Sequence, residues 1–269
     1  MLNKNDLTII IPLHKFDAGV KEILDEALST VDGYKVIMSV PTGLKKELKA
    51  YKDINIFEHE GGSSFSELVN DGVSHVESEW FSILEYDDAF LNKWFDAFAY
   101  YQEYHKEYNF FLPLNDLYDM STATDGKEPD FLGNGNEAVW SSGFAEELGI
   151  IGPRECENFF DYYIPGGFIK KSVWDEYGGL KESIKLTFWY EFMLRMTQKG
   201  EKFFVIPKVG YAHGLNRPGS LMLEYKDSID REESEFWFKT AKKESFYKED
   251  RKKTYVKKIK EETKEEENK

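Results

Sequence analysis

The stretch WFSILEYDDAF, residues 80–90, joins a short hydrophobic run to three carboxylates. The run has the length and composition of a buried strand. It stops at four polar or acidic residues: Glu85, Tyr86, Asp87 and Asp88. Clustered carboxylates repel one another in a partly buried place unless a cation or a hydrogen-bonding ligand offsets the repulsion. The stretch therefore indicates either an acidic turn that faces water or a site for a positively charged ligand.

The segments around this stretch alternate between strand-like and helix-like patterns. Short apolar runs predict four strands: residues 7–13, 34–41, 54–60 and 79–84. Apolar residues at helical spacing predict helices over residues 18–31, 43–52 and 92–108, and in residues 61–76 a glycine and serine turn opens a further helix. Asp17 is a candidate N-cap of the first helix. This alternation predicts an α/β fold with a mainly parallel sheet and helices on both faces, and ligands bind such sheets beyond the carboxyl ends of the strands. The acidic residues lie at one of these ends.

The second half of the chain is less regular. Residues 110–119 could form another strand, and residues 125–143 are rich in turn formers. Regular patterns return in three later segments: residues 166–180, 188–200 and 202–213. A polar loop follows, and the last part of the chain has a helical pattern. We therefore predict one domain over residues 1–220 and a charged helical extension over residues 221–269.

Charge and composition exclude several classes of protein. The net charge of −15 argues against an extended nucleic-acid-binding surface. Residues 242–269 carry eleven Lys/Arg and eight Asp/Glu, which is typical of a solvated helix, or alternatively of a docking segment for an anionic partner. No stretch approaches the roughly 20 apolar residues of a membrane span. With Cys156 as the one cysteine, no intrachain disulfide can form, and we expect a cytoplasmic protein.

Several motifs carry a resemblance to a known family. In order they are LTIIIPLHK, ELVNDGV, FSILEYDDAF, GGFIKKSVWDEYGGL and WYEFMLRM. Their order and spacing resemble those of family 2 glycosyltransferases, which have the GT-A fold, and the similarity spans roughly residues 7–220. The later part, with NEAVWSSGFAEELG and IPKVGYAHGLNRPGSL, is also similar to uncharacterised glycosyltransferase-like proteins of bacteriophages. A dinucleotide-binding fold is disfavoured because the first strand is not followed by G-x-G-x-x-G.

The resemblance implies a metal site at the acidic stretch. The Asp-X-Asp motif of the family falls on Glu85, Tyr86 and Asp87, with Asp88 following. In the family it holds a Mn²⁺ or Mg²⁺ ion that bridges the two phosphates of the donor, and hard oxygen ligands suit these ions. His213 resembles a histidine that completes this site in some members, although a lone histidine at a strand end also fits a structural role.

The resemblance also implies a nucleotide-sugar donor, most simply of the UDP type, and a glycan or other hydroxyl as acceptor. The loop of Pro12, Leu13 and His14 is expected to contact the nucleotide. Asn70 and Gly72 match a helix segment that lies against it, but Asn70 also fits a polar residue on a helix surface. Where the family has an aspartate that binds the uracil ring, this chain has Ser39. The sequence therefore leaves the identity of the nucleotide undecided.

Catalysis by this family usually relies on an aspartate at the start of the late helix. The matching positions hold Phe188 and Trp189, and the nearest acid is Glu191. A general base needs a carboxylate within hydrogen-bonding reach of the acceptor hydroxyl. Glu191 is therefore the first candidate for the base and Glu137 the second.

The sugar is expected to contact aromatic and glycine residues, because ring faces can cover the C–H faces of a pyranose. The candidates are Trp140, Gly166, Gly167, Trp189 and Tyr190. Each of the aromatic residues also fits a place in the hydrophobic core. The resemblance as a whole predicts an inverting, metal-dependent glycosyltransferase. The alternative is a catalytically inactive GT-A domain that serves as a binding or structural module.

Overall fold

The computed structural model describes residues 6–91, 93–124, 126–159, 161–184, 186–228 and 235–236. Within these residues the strands are β1 (Leu7–Pro12), β2 (Lys35–Pro41), β3 (Asn55–His59), β4 (Trp80–Ile83), β5 (Ala89–Phe90), β6 (Phe110–Asp119), β7 (Asp130–Gly135), β8 (Ile150–Ile151), β9 (Phe168–Lys170) and β10 (Phe203–Leu215). The helices are α1 (Ala18–Ser29), α2 (Phe65–Ser74), α3 (Trp94–Tyr104), α4 (Pro153–Asn158), α5 (Lys171–Tyr177), α6 (Phe188–Gln198) and α7 (Leu221–Ser228).

All of these strands belong to one mixed sheet. Its order is β3-β2-β1-β4-β9-β6-β10-β5, with β7 paired to β6 and β8 paired to β10. The four predicted strands of the first half pair in parallel, and so do β6 and β10. β9 enters antiparallel between β4 and β6 and joins the two parallel parts. The sheet is therefore mainly parallel at its centre, as the alternating pattern predicts.

Helices cover the sheet on both faces, and β1 shows why. Ile10 packs in one hydrophobic cluster, with Val69 of α2 and Phe192 of α6. Its neighbours Ile9 and Ile11 pack in a second cluster, which contains residues of α1 and α3. Because successive side chains of a strand point to opposite faces, a continuously apolar strand needs cover on both sides.

The predicted helix at residues 43–52 is wrong. The structure has a single 3₁₀ turn there, Leu44–Lys46, which follows Gly43 at φ 94°. Leu48 is the one fully buried apolar side chain that the segment contributes to the core. A short helix in water depends on packing of an apolar face, so good helix propensity alone does not extend this turn.

The chain continues to pack on the body after residue 220. Leu221 and Met222 lie against the core, and Phe236 is buried in it. The predicted helical extension falls mostly on residues 237–269, which lie outside the described residues. No helix in the described part of the chain is long and apolar enough to cross a membrane.

Candidate functional site

The acidic stretch forms a turn between β4 and β5 at the carboxyl end of the sheet. The amide of Leu84 donates to the carbonyl of Ile10, so β4 stays beside β1 up to the turn. The amide of Asp88 then donates to the carbonyl of Glu85 at 3.0 Å. β5 pairs antiparallel with β10, with Ala89 opposite Ala212. This register brings Asp88 next to His213.

Three of the predicted metal ligands converge on one point. His213 Nδ1 lies 2.6 Å from Asp88 Oδ2, and the amide of Gly214 donates to Asp88 Oδ1 at 2.9 Å. Glu85, Asp88 and His213 each offer one ligand atom, and these atoms lie within 4.8 Å of one another. Two carboxylates and an imidazole are a donor set that suits Mn²⁺ and is compatible with Mg²⁺, so the residues present fit the implied ion.

The electrostatics of the turn favour a positive ligand. Burial, together with Asp88, raises the pKa of Glu85 to about 8. Burial and Asp88 also raise the pKa of Asp87 to about 6, against the opposing effect of Arg217. Burial alone would lower the pKa of His213, but Asp88 and the neighbouring acids raise it to about 9. Burial and the neighbouring carboxylate thus raise the pKa of both acids, and the acids together favour the charged form of His213.

Asp87 does not belong to the converging set. Its Oδ2 lies 3.0 Å from Nε of Arg217, and Nη2 of Arg217 donates to the carbonyl oxygen of Asp87 at 3.3 Å. Arg217 lies in the polar loop after His213, and no role was predicted for it from the sequence. Its partner is 130 residues away in the chain, so local pattern could not have identified the pair.

A cavity of about 90 Å³ opens beside the turn, and we call it the donor cavity after the ligand that the sequence motifs predict for it. Six predicted site residues line it: Pro12, His14, Glu85, Tyr86, Asp87 and His213. The rings of His14 and Tyr86 lie 5.7 Å apart, and the buried Nε2 of His14 has no hydrogen-bond partner among the described residues. The other side is formed by residues that the sequence did not single out, chiefly Phe65, Asn216, Leu221, Met222 and Leu223.

Four other residues predicted to bind the nucleotide hold the structure beneath the cavity. The amide of Leu13 donates to the carbonyl of Ser39, and the hydroxyl of Ser39 donates to Asp71 Oδ2 at 2.6 Å. Asn70 exchanges two hydrogen bonds with the backbone of Leu180. A Cβ on Gly72 would lie 2.6 Å from Ile10 Cγ2, so glycine lets α2 approach β1 closely. These hydrogen bonds and the close approach of α2 to β1 thus give all four residues a structural role.

Glu191, the first candidate for the general base, is fully buried in an ion-pair network. Its Oε1 lies 3.0 Å from Nε of Arg195 and 3.1 Å from Nζ of Lys181. Nη2 of Arg195 donates to Oε2 at 3.1 Å. Arg195 also donates to the carbonyls of residues 177–179, which follow α5. Both carboxylate oxygens are thus engaged inside the protein, and the donor cavity is lined by other residues.

The predicted sugar-binding residues lie mainly in the core. Tyr190 is buried and donates to the carbonyl of Cys156 at 2.8 Å. Trp140 and Trp189 are partly buried against the same core cluster. A Cβ on Gly166, which has φ 75°, would overlap the Tyr211 ring, and Gly167 is packed against Leu112.

Gly166 acts on the site indirectly. The hydroxyl of Tyr211 accepts a hydrogen bond from the amide of Glu85 at 3.0 Å. Gly166 therefore makes room for the ring that holds the acidic turn in place. Glu137, the second candidate for the base, is exposed at the start of a 3₁₀ turn, Glu137–Trp140.

A second groove, of about 480 Å³, shares Asp87 and Gly214 with the donor cavity and is also lined by Asp88. It is open to solvent, and its other walls include Glu26, Tyr118 and Glu128. The acidic turn thus borders two spaces.

Comparison with known proteins identifies the fold but no sequence family. The sequence matches no family model and no curated protein. The structure is similar to that of residues 1–349 of S. aureus TarS in complex with UDP-GlcNAc, with a TM-score of 0.55, 13% identity, and coverage of 81% of this chain and 60% of that one. The complex of the same protein with UDP gives a TM-score of 0.54 and 12% identity over 86% of this chain and 78% of the other.

The match to a longer TarS chain covers 37% of that chain. The similarity is therefore to part of TarS, and at this identity it shows the fold alone. The mixed α/β fold predicted for this chain, the GT-A glycosyltransferase fold, is confirmed.

Proposed function

We propose that this protein is a metal-dependent glycosyltransferase that uses a nucleotide-diphosphate sugar of the UDP type. The observation that carries the proposal is the convergence of Glu85, Asp88 and His213 at the carboxyl end of β4. It occurs in a fold shared with TarS structures that hold UDP and UDP-GlcNAc. Membership of family 2 and the likeness to bacteriophage proteins rest on the sequence motifs.

The residues around the donor cavity have the chemistry to hold such a donor. Tyr86 and His14 offer ring faces to a nucleobase, and the unpaired Nε2 of His14 offers a hydrogen bond. Glu85, Asp88 and His213 would hold the divalent cation. When bound there, the cation would neutralise the charge that builds up on the departing diphosphate.

The reaction requires an acceptor on the other side of the acidic turn, and we assign it to the second groove. The oxygen of the acceptor hydroxyl attacks the anomeric carbon, and the bond from that carbon to the diphosphate oxygen breaks. The hydroxyl proton passes to a carboxylate base, and the resemblance implies inversion at the anomeric carbon. With Glu191 held by Arg195 and Lys181, we propose the exposed Glu137 as the base.

The buried ion pairs of Glu191 also favour a second candidate function. If no other acid takes over its role, the domain binds a nucleotide-sugar without transferring the sugar, as a binding or structural module. Measuring both donor binding and donor turnover separates the two. A transferase consumes the donor when a suitable hydroxyl acceptor is present, and an inactive module binds the donor and leaves it intact.

The proposal is tested by thermal unfolding with a panel of nucleotide-sugars, in Mn²⁺ or in EDTA. A ligand that binds only the native state at 100 times its Kd adds about 2.7 kcal/mol to the free energy of unfolding. For a domain of this size that raises Tm by roughly 5–10 °C. We expect such a rise with a UDP-type donor in Mn²⁺ and none in EDTA.

Asp88→Asn should abolish the Mn²⁺-dependent rise, because it removes one carboxylate from the converging set. Asp175→Asn is the matched control, since Asp175 pairs with Lys171 on the exposed face of α5. A parent protein that no nucleotide-sugar stabilises in Mn²⁺ would refute the proposal. An equal response of the Asp88 variant and the control would refute the assignment of the metal ligands.

A further inference from the structure

The segment of residues 214–223, which we call the closing segment, forms one wall of the donor cavity. Gly214 donates to Asp88, Arg217 pairs with Asp87, and Lys15 donates to the carbonyl of Gly219. The apolar side chains of Leu221, Met222 and Leu223 face the cavity at its far end. The segment is thus fastened to the acidic turn and to the loop after β1.

The cavity is small for a donor while the closing segment lies against it. The donor cavity has a volume of about 90 Å³. Pockets that bind small molecules usually have volumes of roughly 300–1,000 Å³. A nucleotide diphosphate is larger than the space available, although the cavity has the residues to recognise one. We infer that the closing segment lies here in a closed position.

The pair between Arg217 and Asp87 is the charged contact in this closure. The side chains are 21% and 9% exposed, so water screens them little. Although Nε of Arg217 lies 3.0 Å from Asp87 Oδ2, its N–H is not directed at a hydrogen-bond acceptor in the described residues. The attraction between the two side chains is therefore mainly that of opposite charges, with no well-directed hydrogen bond from Nε. The Asp87 carboxylate that Arg217 contacts is not among the converging atoms of Glu85, Asp88 and His213.

We propose that Arg217 is a positioning residue that couples cation binding to opening of the donor cavity. Its pair with Asp87 holds the closing segment over the cavity, and opening frees Asp87 to join the other three ligands. This inference rests on the proposed function, because it assigns the cation to that same site. The cation and Arg217 compete for the Asp87 carboxylate. Each therefore lowers the affinity of the other for this carboxylate by the same factor.

Arg217→Gln tests the coupling with Mn²⁺ as the probe, titrated by calorimetry in the absence of nucleotide. The substitution removes the competing charge and keeps a side chain of similar length. We expect Mn²⁺ to bind more tightly, within the roughly 5- to 150-fold range that couplings between sites usually span. Arg154→Gln is the matched control, because it removes the same charge from an exposed position on α4 and should leave the affinity unchanged.

Amide hydrogen exchange of the closing segment provides a readout that needs no cation. We expect faster exchange in residues 214–223 of the Arg217 variant than in the parent, and faster exchange in the parent once Mn²⁺ is added. Unchanged exchange in the Arg217 variant, or a Mn²⁺ affinity equal to that of the Arg154 variant, would overturn the proposal. A parent that binds no Mn²⁺ contradicts the metal site of the proposed function and the coupling. In that case the exchange rates still decide whether Arg217 holds the segment closed.

Discussion

The carboxylate of Glu191 forms ion pairs with two cationic side chains inside the core. The sequence marks it as an acid on an aromatic helix, and that pattern fits a general base in a cleft. The structure instead pairs it with Arg195 and Lys181, whose side chains are 5% and 8% exposed. Through Arg195 it fixes the backbone after α5. Removing one partner from a buried ion pair leaves the other charge without compensation, which is costly.

We therefore expect Glu191→Gln to destabilise the fold. Breaking a buried pair from one side usually costs about 3–5 kcal/mol, which corresponds here to a fall in Tm of roughly 6–20 °C. Thermal unfolding measures the effect. A variant with the stability of the parent that has lost transfer activity but still binds the donor would restore Glu191 as the base.

Glu137→Gln is the corresponding test of the second acid. Because Glu137 is exposed, its loss should change the free energy of unfolding by no more than about 0.5 kcal/mol. If Glu137 is the base, transfer falls by about 10²- to 10⁴-fold while the affinity for the donor is kept. Steady-state rates and donor titration measure the two effects, and an unchanged rate would remove Glu137 from the mechanism.

At the scale of elements, α2 shows how local sequence sets where a helix begins. Ser64 accepts a hydrogen bond from the amide of Glu67, and the Glu67 carboxylate accepts from both the hydroxyl and the amide of Ser64. This capping box explains why α2 begins at Phe65, directly after the glycine and serine turn that opens the predicted helix. The helix then carries Asn70 and Gly72 to the positions that support the donor cavity.

We expect Ser64→Ala to lower the free energy of unfolding by about 0.5–2 kcal/mol at neutral pH. The hydrogen bond from the Ser64 hydroxyl lowers the pKa of Glu67 below its ordinary value, so its contribution is present above the unfolded pKa and is lost as pH falls through the folded pKa. The difference between parent and variant should therefore shrink below about pH 4. Urea unfolding at pH 7 and pH 3.5 measures it, and a difference that grows at low pH would contradict the role of Glu67.

The contact of α2 with β1 gives a second prediction at this scale. A Cβ at residue 72 would lie 2.6 Å from Ile10 Cγ2, which is too close for any real contact. Overpacking of this kind costs about 1–3 kcal/mol, and the better helix propensity of alanine returns up to about 1 kcal/mol. We expect Gly72→Ala to destabilise on balance.

Gly19→Ala on α1 is the matched control, because a Cβ there lies 3.4 Å from Asp17 Oδ1 and meets nothing closer. This substitution should be neutral or slightly stabilising. Thermal unfolding of both variants makes the comparison. Equal effects would show that the close approach of α2 to β1 is not what requires glycine at residue 72.

At the scale of the whole molecule, the charge of the tail suggests where the folded body ends. Residues beyond 240 carry many charges and few apolar groups. A chain that ends at Thr240 should therefore melt within about 2 °C of the full-length protein. A chain that ends at Ser220 also lacks Leu221, Met222 and Phe236, which pack on the core, and should melt well below it. Thermal unfolding of the two chains tests both statements, and a large loss in the longer one would show that the tail packs on the body.

The sequence by itself determined the first half of the fold and the place of the acidic turn. Short apolar runs between turn signals specify β1 to β4, because a strand covered on both faces needs continuous apolar residues whatever its partners are. Their alternation with helices specifies parallel pairing, and that places residues 85–88 at the edge where ligands bind. These are local properties that can be read within a window of about ten residues.

The tertiary structure alone decided which acidic residues act together. Asp88 meets His213 across 125 residues, and Asp87 pairs with Arg217 instead of joining the converging set. Both depend on the register of β5 against β10, which no short pattern encodes. The same holds for Glu191, since a carboxylate on a helix serves as a base or as a buried ion-pair partner according to the cations that other elements bring to it. Charge acts over a few ångströms in space regardless of distance along the chain, so only the folded chain fixes these partners.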